Sequence, residues 1–551
     1  MACRHVISFP ASKLRDIKIN SPNNRSMKSL FAIALLGAVF TEASAKAVLV
    51  GYLPNWLYAS YPVANIDYSK YTHINYAFAI ANDASGTPKW ADDYQVSVQL
   101  PEVVKGAHAK GSKVLISIGG WSGCIAFSTI VASASARKTF IDWNIKQITT
   151  YNTDGVDIDW EYPGRQGAGC NAFDVKNDTP NLLILLKELR AALDTNFKGA
   201  KKEITMANRA VPFETPSGPS KDVSAFVPYV DRFQLMLYDI NGAWNSTTGP
   251  NAPFKNQNGW GAPFSYTDGI QAWRAAGVPA GKIVAGLAYY GHSIKATVDM
   301  TKTGFQYQAC ATSNPLGDSD DASWQDPYCS KDPGGTSGIW KWKNLRSQGV
   351  LTSPTTAGAG WTRYFDSVSQ TPWLFNPSTK IFISYDDPVS LKTKINYALC
   401  QKLGGVMVWD IHQDNGELLT AVNNIQGSAP SSCASPGPGP KPKTSKITGK
   451  IATNTATATK TKAGKGSKKP KTITAMTSEG PTPSASQSED PKPTSPGSDC
   501  SSSNAGQSVC TNPGKDVAYK QCLNGSWIQR QCSPGTVCNA AGSNDIQCGL
   551  A

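Results

Sequence analysis

The sequence predicts an α/β fold in which eight parallel strands and their helices close into a (β/α)8 TIM barrel. From Ala47 to about Gln426, short apolar runs alternate with longer amphipathic ones, which is the pattern of a parallel sheet. Eight of these runs have the length of strands, the number that closes such a barrel. Active sites of these barrels lie at the C-terminal ends of the strands, so functional residues are expected there.

Each predicted element follows from this alternation. The strands are expected at Val48–Leu53, Thr72–Phe78, Lys113–Ile118, Gly155–Trp160, Glu203–Ala207, Arg232–Tyr238, Lys282–Ala288 and Gly405–Trp409. Helices are expected between them at Ala134–Thr149, Leu182–Asp194, Thr267–Ala275 and Ser390–Leu403.

One connection is too long for a simple barrel. The segment from about residue 292 to 380 is rich in Gly and aromatic residues, and it predicts a small α+β domain inserted after the seventh strand. Cys310 and Cys329 lie in this segment and are expected to form a disulfide bond. Cys124 and Cys170 follow neighbouring strands and could also pair.

The fourth strand carries the strongest functional signal, in the sequence DGVDIDWEYP at residues 154–163. Asp157, Asp159 and Glu161 alternate with apolar residues, so all three carboxyl groups are expected on one face of the strand. Carboxyl groups this close cannot all ionise freely, and one should hold a proton near neutral pH. A protonated acid beside ionised neighbours suits acid-assisted cleavage of a glycosidic bond.

Two other interpretations of this segment are an acidic strand edge exposed to water and a calcium-binding loop. Calcium loops require a glycine-containing turn and mostly polar intervening residues, which the intervening Val, Ile and Trp do not provide. We therefore favour catalysis.

The decapeptide resembles the signature of glycoside hydrolase family 18, the chitinases and their relatives. The ends of other predicted strands resemble the same family, as does the segment that leads into the last predicted helix: GYLP at 51–54, NYAF at 75–78, SIGGW at 117–121, MLYD at 236–239, VMVW at 406–409 and SYDDP at 384–388. The resemblance covers about residues 47–426 and implies hydrolysis of β-1,4-linked N-acetylglucosamine without a metal or cofactor.

The resemblance also implies the catalytic roles. Family members use the substrate's own 2-acetamido oxygen in place of a protein nucleophile and retain the anomeric configuration. Glu161 would be the general acid and base, and Asp159 would orient the acetamido N–H. Asp157 would share a proton with Asp159, and Tyr238 would hydrogen-bond the acetamido oxygen. The alternative for Tyr238 is a buried core tyrosine.

Further residues are expected to bind substrate. Met236 and Asp239 would shape the subsite of the reacting sugar, and Trp409 would form its apolar floor. Trp121 and Trp244 would stack against leaving-group sugars. Simple barrel filling for Trp409, and loop packing for Trp121 and Trp244, are the alternatives.

Tyr52, Ser117 and Asp154 are expected to support the reacting groups rather than react. Tyr290 is a further candidate substrate-binding residue. The family usually reads Tyr-Gly-Arg after the seventh strand, whereas this chain reads Tyr290-Gly291-His292. The titratable imidazole of His292 thus replaces the permanently charged guanidinium of an arginine, which puts one substrate hydrogen bond in doubt.

The ends of the chain predict secretion and a modular organisation. An apolar run at residues 30–40 follows Arg25 and Lys28 and precedes Ala-Ser-Ala at 43–45, as in a cleaved signal peptide spanning residues 1–45, with Met27 as an alternative start. An uncleaved anchor is the alternative. The catalytic domain is then expected at residues 46–426 and the mature protein outside the cell, without membrane association.

Most of the chain's excess positive charge lies in one low-complexity tract. The net charge is +13, and residues 427–499 hold eleven lysines against four acidic residues, a net charge of +7. This Pro-, Ser-, Thr- and Lys-rich tract cannot bury a core and is expected to be a linker. The chain has no basic motif interleaved with aromatic residues, and nucleic acid is not an expected partner.

The last 52 residues, 500–551, contain six cysteines and are expected to fold as a small disulfide-rich module. Their spacing resembles the family 19 carbohydrate-binding modules of fungal chitinases, which implies chitin binding, with Trp527 and Tyr519 as candidate sugar-stacking residues. A mini-core role is the alternative for Trp527.

Taken together, these expectations describe a secreted, modular, monomeric chitinase that cuts within the polymer, an endochitinase. An endo-β-N-acetylglucosaminidase acting on N-glycans and an inactive chitin-binding lectin are the alternatives. Inactive relatives lose the acid at the position of Glu161, which this chain retains.

Overall fold

Eight parallel strands pair in chain order, and the eighth closes the barrel by pairing with the first. The computed structural model describes residues 47–58, 60–431 and 433 and five strands between residues 508 and 550. The barrel strands are Val48–Pro54, His73–Ile80, Lys113–Gly119, Gly155–Asp159, Glu203–Arg209, Arg232–Met236, Ile283–Ala288 and Gly405–Trp409. The predicted barrel is confirmed. The predicted leader and the predicted linker beyond residue 433 lie outside the described residues.

The helices pack around the barrel, and several begin at side-chain caps that accept backbone N–H bonds, such as Asp92, Ser133, Ser265 and Asp387. They span Asp93–His108, Phe127–Ala132, Ala134–Tyr151, Asp178–Asn196, Tyr266–Ala275, Trp342–Ser347, Pro388–Cys400 and Glu417–Val422. Among the described residues, none of these helices has the length and apolar composition needed to cross a membrane.

The barrel has an apolar outer layer and a partly polar interior. Outward-facing strand residues and the helices share a large apolar cluster, to which the helix Asp178–Asn196 contributes Leu182, Leu185 and Leu189. At the N-terminal end of the barrel, Glu203 lies within ion-pair distance of His73, Lys113 and Arg232. Burial opposes its ionisation, yet the His73 hydrogen bond and the Arg232 charge hold the pKa of Glu203 below its usual value.

The inserted domain lies between the seventh and eighth barrel strands and is built on a five-stranded antiparallel sheet. In spatial order its strands are Ile339–Lys341, Tyr290–Lys295, Ile381–Ser384, Pro372–Asn376 and Thr362–Phe365. The helix Trp342–Ser347 and a short hairpin complete the domain. The domain thus begins two residues earlier than predicted and ends a few residues later, because its sheet incorporates both flanking segments.

The disulfide expectations were wrong. The structure joins Cys170 to Cys329 and Cys400 to Cys433, while Cys124 and Cys310 are free. Cys310 Sγ instead contacts a backbone carbonyl, that of Asn245, at 3.3 Å. The reason is that the segment carrying Cys329 extends to the loop after the fourth strand, where its Cα lies 5.5 Å from that of Cys170.

The described strands near the C-terminus form small antiparallel sheets in a separate unit of the chain. One sheet contains Ser508–Cys510, Ala518–Leu523 and Ser526–Gln531, and the other contains Thr536–Ala540 and Ile546–Leu550. Tyr519 and Trp527 lie on the first of these sheets, but their side chains are outside what the structure describes.

Candidate active site

The three acids of the fourth strand lie at the C-terminal end of the barrel, as its alternation predicted. Asp157 and Asp159 are buried away from the outer apolar cluster, to which the intervening Val156 and Ile158 belong. Glu161 follows just beyond the end of the strand and is also buried. The alternating side chains of one strand therefore place a column of carboxyl groups at the mouth of the barrel.

Asp157 is held by four uncharged donors from four other barrel strands, the first, third, fifth and sixth. Tyr52 and Ser117 donate to Oδ2 at 2.8 and 2.7 Å, and Thr205 and Gln234 donate to Oδ1 at 2.5 and 2.8 Å. Burial raises the pKa of this carboxyl, and the hydrogen bonds partly offset that rise. The site therefore fixes the orientation of Asp157 without supplying a positive charge.

Asp159 lies in the middle of the column, and its surroundings disfavour a negative charge. Burial is the main cause, followed by the carboxyl groups of Glu161 and Asp157, and together they raise the pKa of Asp159 well above its usual value. Its buried Oδ1 has no hydrogen-bond partner within the described part of the chain. Asp159 is therefore suited to hold a proton and to direct an oxygen towards a ligand.

Glu161 has the pKa of a group that can both give and take a proton near neutrality. Burial raises the pKa of this carboxyl from 4.5 to about 7, the Tyr162 hydroxyl lowers it, and Asp239 raises it. Its backbone is fixed on both sides: the amide N–H points at Cys124 Sγ at 3.3 Å, and the carbonyl accepts a 3.0 Å bond from Asn171 Nδ2. A general acid and base requires this combination of pKa and fixed position.

Tyr238 offers a neutral hydroxyl beside the carboxyl column. Burial and then the charges of Asp159 and Asp239 raise its pKa well above the usual value. Its hydroxyl contacts the thioether of Met407 at 3.7 Å, which is a weak acceptor. Because the thioether is a weak acceptor, the hydroxyl remains able to donate to a ligand.

His292 contacts Asp239 and Trp244 at one edge of the site. Its Nε2 lies 2.7 Å from Asp239 Oδ1, which also accepts a 2.7 Å bond from the Tyr290 hydroxyl. The Trp244 ring meets the His292 ring edge-on at 5.2 Å. His292 and Tyr290 thus hold the half-exposed Asp239 between them.

Aromatic rings form a row that begins at the last barrel strand. Trp409 stacks on Phe78 at 5.6 Å, and Phe78 stacks on Trp56 at 6.1 Å, while Tyr52 meets Trp409 edge-on. Trp409 is only partly buried, and Trp56 is 54% exposed. Trp409 is therefore not fully enclosed in the barrel, and the row presents flat apolar surface to solvent.

Trp121, Trp244 and Met236 lie at the same end of the barrel. Trp121 and Trp244 are 53% and 55% exposed, which leaves their faces available for stacking. Met236 is partly buried and packs in the inner apolar cluster with Tyr238 and Tyr290.

Asp154 was expected to support the site, but this was wrong, because its carboxylate bonds His108 and a backbone amide at the entry of the strand.

Sequence reasoning missed several contributors. Thr205 and Gln234 are polar residues inside otherwise apolar strands, and Thr205 is in register with Asp157, so that signal was available. Tyr162 lies in the DGVDIDWEYP motif itself. Asn171 lies in a loop and gave no signal.

Within the described residues, no cluster of His, Cys, Asp or Glu could hold a metal ion.

Comparison with known proteins identifies the family. Residues 48–414 match the family model described as glycosyl hydrolases family 18. A "chitinase-like effector" of Moniliophthora roreri is 34% identical over 410 residues, which cover 71% of this chain and 96% of that one.

Two solved structures support the same assignment. The crystal structure of a chitinase from Rhizomucor miehei is 34% identical, with a TM-score of 0.63, and the match covers 69% of this chain and all of that one. A group IV chitinase of Ostrinia furnacalis in complex with allosamidin is 26% identical, with a TM-score of 0.57, covering 69% of this chain and 98% of that one. The family model, spanning two thirds of the chain, and these relatives show that the chain belongs to glycosyl hydrolase family 18.

Proposed function

We propose that this protein is a secreted chitinase that hydrolyses β-1,4 bonds between N-acetylglucosamine units with retention of configuration. The observation that carries the proposal is the buried column of Asp157, Asp159 and Glu161, in which the pKa of Glu161 is about 7. Such a column supplies a proton donor, a proton acceptor and a polar partner for the acetamido group from one strand and the residues just after it.

In the first step, Glu161 gives its proton to the oxygen of the scissile bond. The carbonyl oxygen of the sugar's own 2-acetamido group attacks the anomeric carbon as the bond to the leaving sugar breaks, which forms an oxazolinium ion. In this step the proton that the two aspartates share lies on Asp157, so the ionised Asp159 accepts a hydrogen bond from the acetamido N–H and balances the positive charge that develops. The Tyr238 hydroxyl donates to the acetamido oxygen.

In the second step, the ionised Glu161 takes a proton from a water molecule. The resulting hydroxide attacks the anomeric carbon, the oxazolinium ring opens, and the product has the β configuration. Asp157 shares a proton with Asp159 between the two steps, and its four donors keep it in place.

The polymer would bind across the aromatic surface. Trp409 is the floor under the reacting sugar, because it is a partly exposed ring within the inner apolar cluster that also contains Tyr238 and Met236. Trp121 and Trp244 would carry sugars on the leaving-group side. Aromatic faces suit the apolar faces of sugar rings, which is why this row favours a polysaccharide over a small ligand.

Secretion and attachment complete the proposal. The signal peptide would direct a monomeric mature chain outside the cell. The C-terminal module, through Trp527 and Tyr519, would hold the catalytic domain on insoluble chitin through the linker and raise its local concentration.

A chitin-binding protein without catalytic activity is the second candidate, because a relative is named a chitinase-like effector. The presence of Glu161 and its supported position favour the enzyme.

The test compares the mature protein with Glu161→Gln on N-acetylglucosamine oligomers and colloidal chitin. The enzyme predicts short oligomers from the wild type and a loss of several orders of magnitude in the variant. A wild type that binds chitin while both proteins are equally inert would favour the binding protein, and release of N-glycans without activity on chitin would favour the endo-β-N-acetylglucosaminidase alternative.

A further inference from the structure

The disulfide bond between Cys170 and Cys329 joins two walls of the barrel mouth. Cys170 lies in the loop after the fourth strand, and Cys329 lies in the domain inserted after the seventh strand, 159 residues later. Two barrel strands, the fifth and sixth, separate these positions around the sheet. The crosslink therefore spans non-neighbouring loops at the end of the barrel where the active site lies.

The residue next to this crosslink fixes the catalytic backbone. Asn171 is buried, and its Nδ2 donates to the carbonyl oxygen of Glu161 and to the carbonyl oxygen of Trp121, both at 3.0 Å. One side chain thus holds the backbone of the proposed general acid and of an exposed ring proposed to bind the leaving group. Movement of this loop would displace both.

The loop has little freedom of its own. A Cβ at Gly167 would lie 1.9 Å from the Glu161 carbonyl oxygen, so the loop backbone is in tight contact with that residue. Asp178 accepts backbone N–H bonds from Gly164 and Asp174 and fastens the two ends of the loop. The Cys170–Cys329 disulfide holds the middle of this loop.

The other end of the crosslink is anchored in the inserted domain. Cys329 is buried, and its N–H and carbonyl bond the backbone of Asp326 and Asp332. Nearby, Asp318 joins the same segment to the domain's sheet through Lys341 at 3.1 Å. The segment that carries Cys329 therefore links the sheet of the inserted domain to Cys170.

We propose that the inserted domain positions Glu161 and Trp121 through the Cys170–Cys329 crosslink and Asn171, and so sets the efficiency on substrates that fill the leaving-group side, an inference that rests on the proposed function. Asn171 is then a positioning residue that never touches the substrate.

The test uses the full mature chain and compares two substrates, the N-acetylglucosamine hexamer and an aryl glycoside of the disaccharide. The hexamer fills the leaving-group side, whereas the aryl glycoside barely does. For the double variant C170S/C329S we expect the ratio of kcat/KM for hexamer over aryl glycoside to fall about tenfold, because small misplacements of reacting groups are costly. Asn171→Ala, which keeps both cysteines, should lower the same ratio.

The matched control is C400S/C433S, which removes the other disulfide, between the end of the helix Pro388–Cys400 and residue 433. It should lower Tm while leaving the substrate ratio at the wild-type value. If C170S/C329S and Asn171→Ala also leave the ratio unchanged, the proposal is overturned.

Hydrogen exchange separates this proposal from the proposed function. Amides of residues 160–175 should exchange faster in C170S/C329S than in the wild type, and the control should show no change there. A wild type that cleaves neither substrate would contradict the proposed function. Unchanged exchange in C170S/C329S would contradict the positioning role whatever the activity.

Discussion

His292 is hydrogen-bonded to Asp239, with 2.7 Å between Nε2 and Oδ1, and its side chain is 9% exposed. Because Asp239 also raises the pKa of Glu161, the histidine acts on the general acid through the carboxylate that it holds. The residue that departs from the family pattern thus has an internal role in this chain.

Replacing His292 with Ala should lower kcat/KM by roughly tenfold, because Asp239 loses one of its two side-chain donors. The Asp239 carboxylate is 51% exposed, so the bond is worth about 1.4 kcal/mol, close to the lower end for a hydrogen bond to a charged group. His292→Gln can return an amide donor to nearly the same place and should recover part of the loss. His108→Ala, at the opposite end of the barrel, is the control and should leave kinetics unchanged. Equal activity of His292→Ala and wild type would remove the role assigned here.

The alkaline limb of the pH–rate profile should report Glu161. The reaction begins with a protonated Glu161, whose pKa burial raises to about 7, so kcat/KM should fall about tenfold per pH unit above that value. Asp239→Asn removes a charge that raises this pKa and should move the limb to lower pH. A limb that stays in place in Asp239→Asn would show that burial alone sets the pKa.

Stability should also depend on Glu161. A carboxyl group whose folded-state pKa is raised contributes stability that is fully present below its unfolded pKa of 4.5 and is lost as pH rises through the folded value of about 7. The unfolding free energy of the wild type should therefore fall between about pH 5 and pH 8, on the order of 1–3 kcal/mol from this group.

Glu161→Gln cannot ionise, so it should flatten this part of the profile and be the more stable protein at the alkaline end. Chemical unfolding of both proteins across that range measures the difference. Glu102→Gln, which changes an exposed acid, should follow the wild-type profile. The interpretation fails if Glu161→Gln and the wild type lose stability in parallel.

Trp56 should bind sugars remote from the cleaved bond, since it ends the row of stacked rings that starts at Trp409. Trp56→Ala should weaken hexamer binding to a Glu161→Gln background by about 1–2 kcal/mol, the scale of an exposed aromatic anchor. Disaccharide binding should change little. Titration calorimetry measures both, and Tyr94→Ala, on an exposed helix start, serves as the control. If Trp56→Ala weakens hexamer and disaccharide binding equally, Trp56 does not bind sugars remote from the cleaved bond.

The alternation of Asp157, Asp159 and Glu161 was sufficient to predict the strand and the direction of its carboxyl groups, because period two leaves little freedom in a barrel. The helix Asp93–His108 was not predicted. It contains Pro101, and an interior proline normally ends a helix, so the local signal contradicted the tertiary structure.

Contacts between distant loops could not be read from the sequence. Cys170 and Cys329 pair because the inserted segment extends across the barrel mouth, and neither strand order nor spacing encodes that path. Asn171 was missed for the same reason, since its partners Glu161 and Trp121 meet it only in the folded loop. Asp154 shows the reverse error: it belongs to the motif but bonds His108 at the other end of the strand.

The anomeric configuration of the first product tests the central claim most directly. Proton NMR of the wild type acting on the N-acetylglucosamine hexamer, recorded before mutarotation is complete, distinguishes the two anomers. Substrate-assisted catalysis by Glu161, Asp159 and Tyr238 predicts β product that appears first and equilibrates to the mixture. α product appearing first, or β product formed at the same rate by Glu161→Gln, would contradict it.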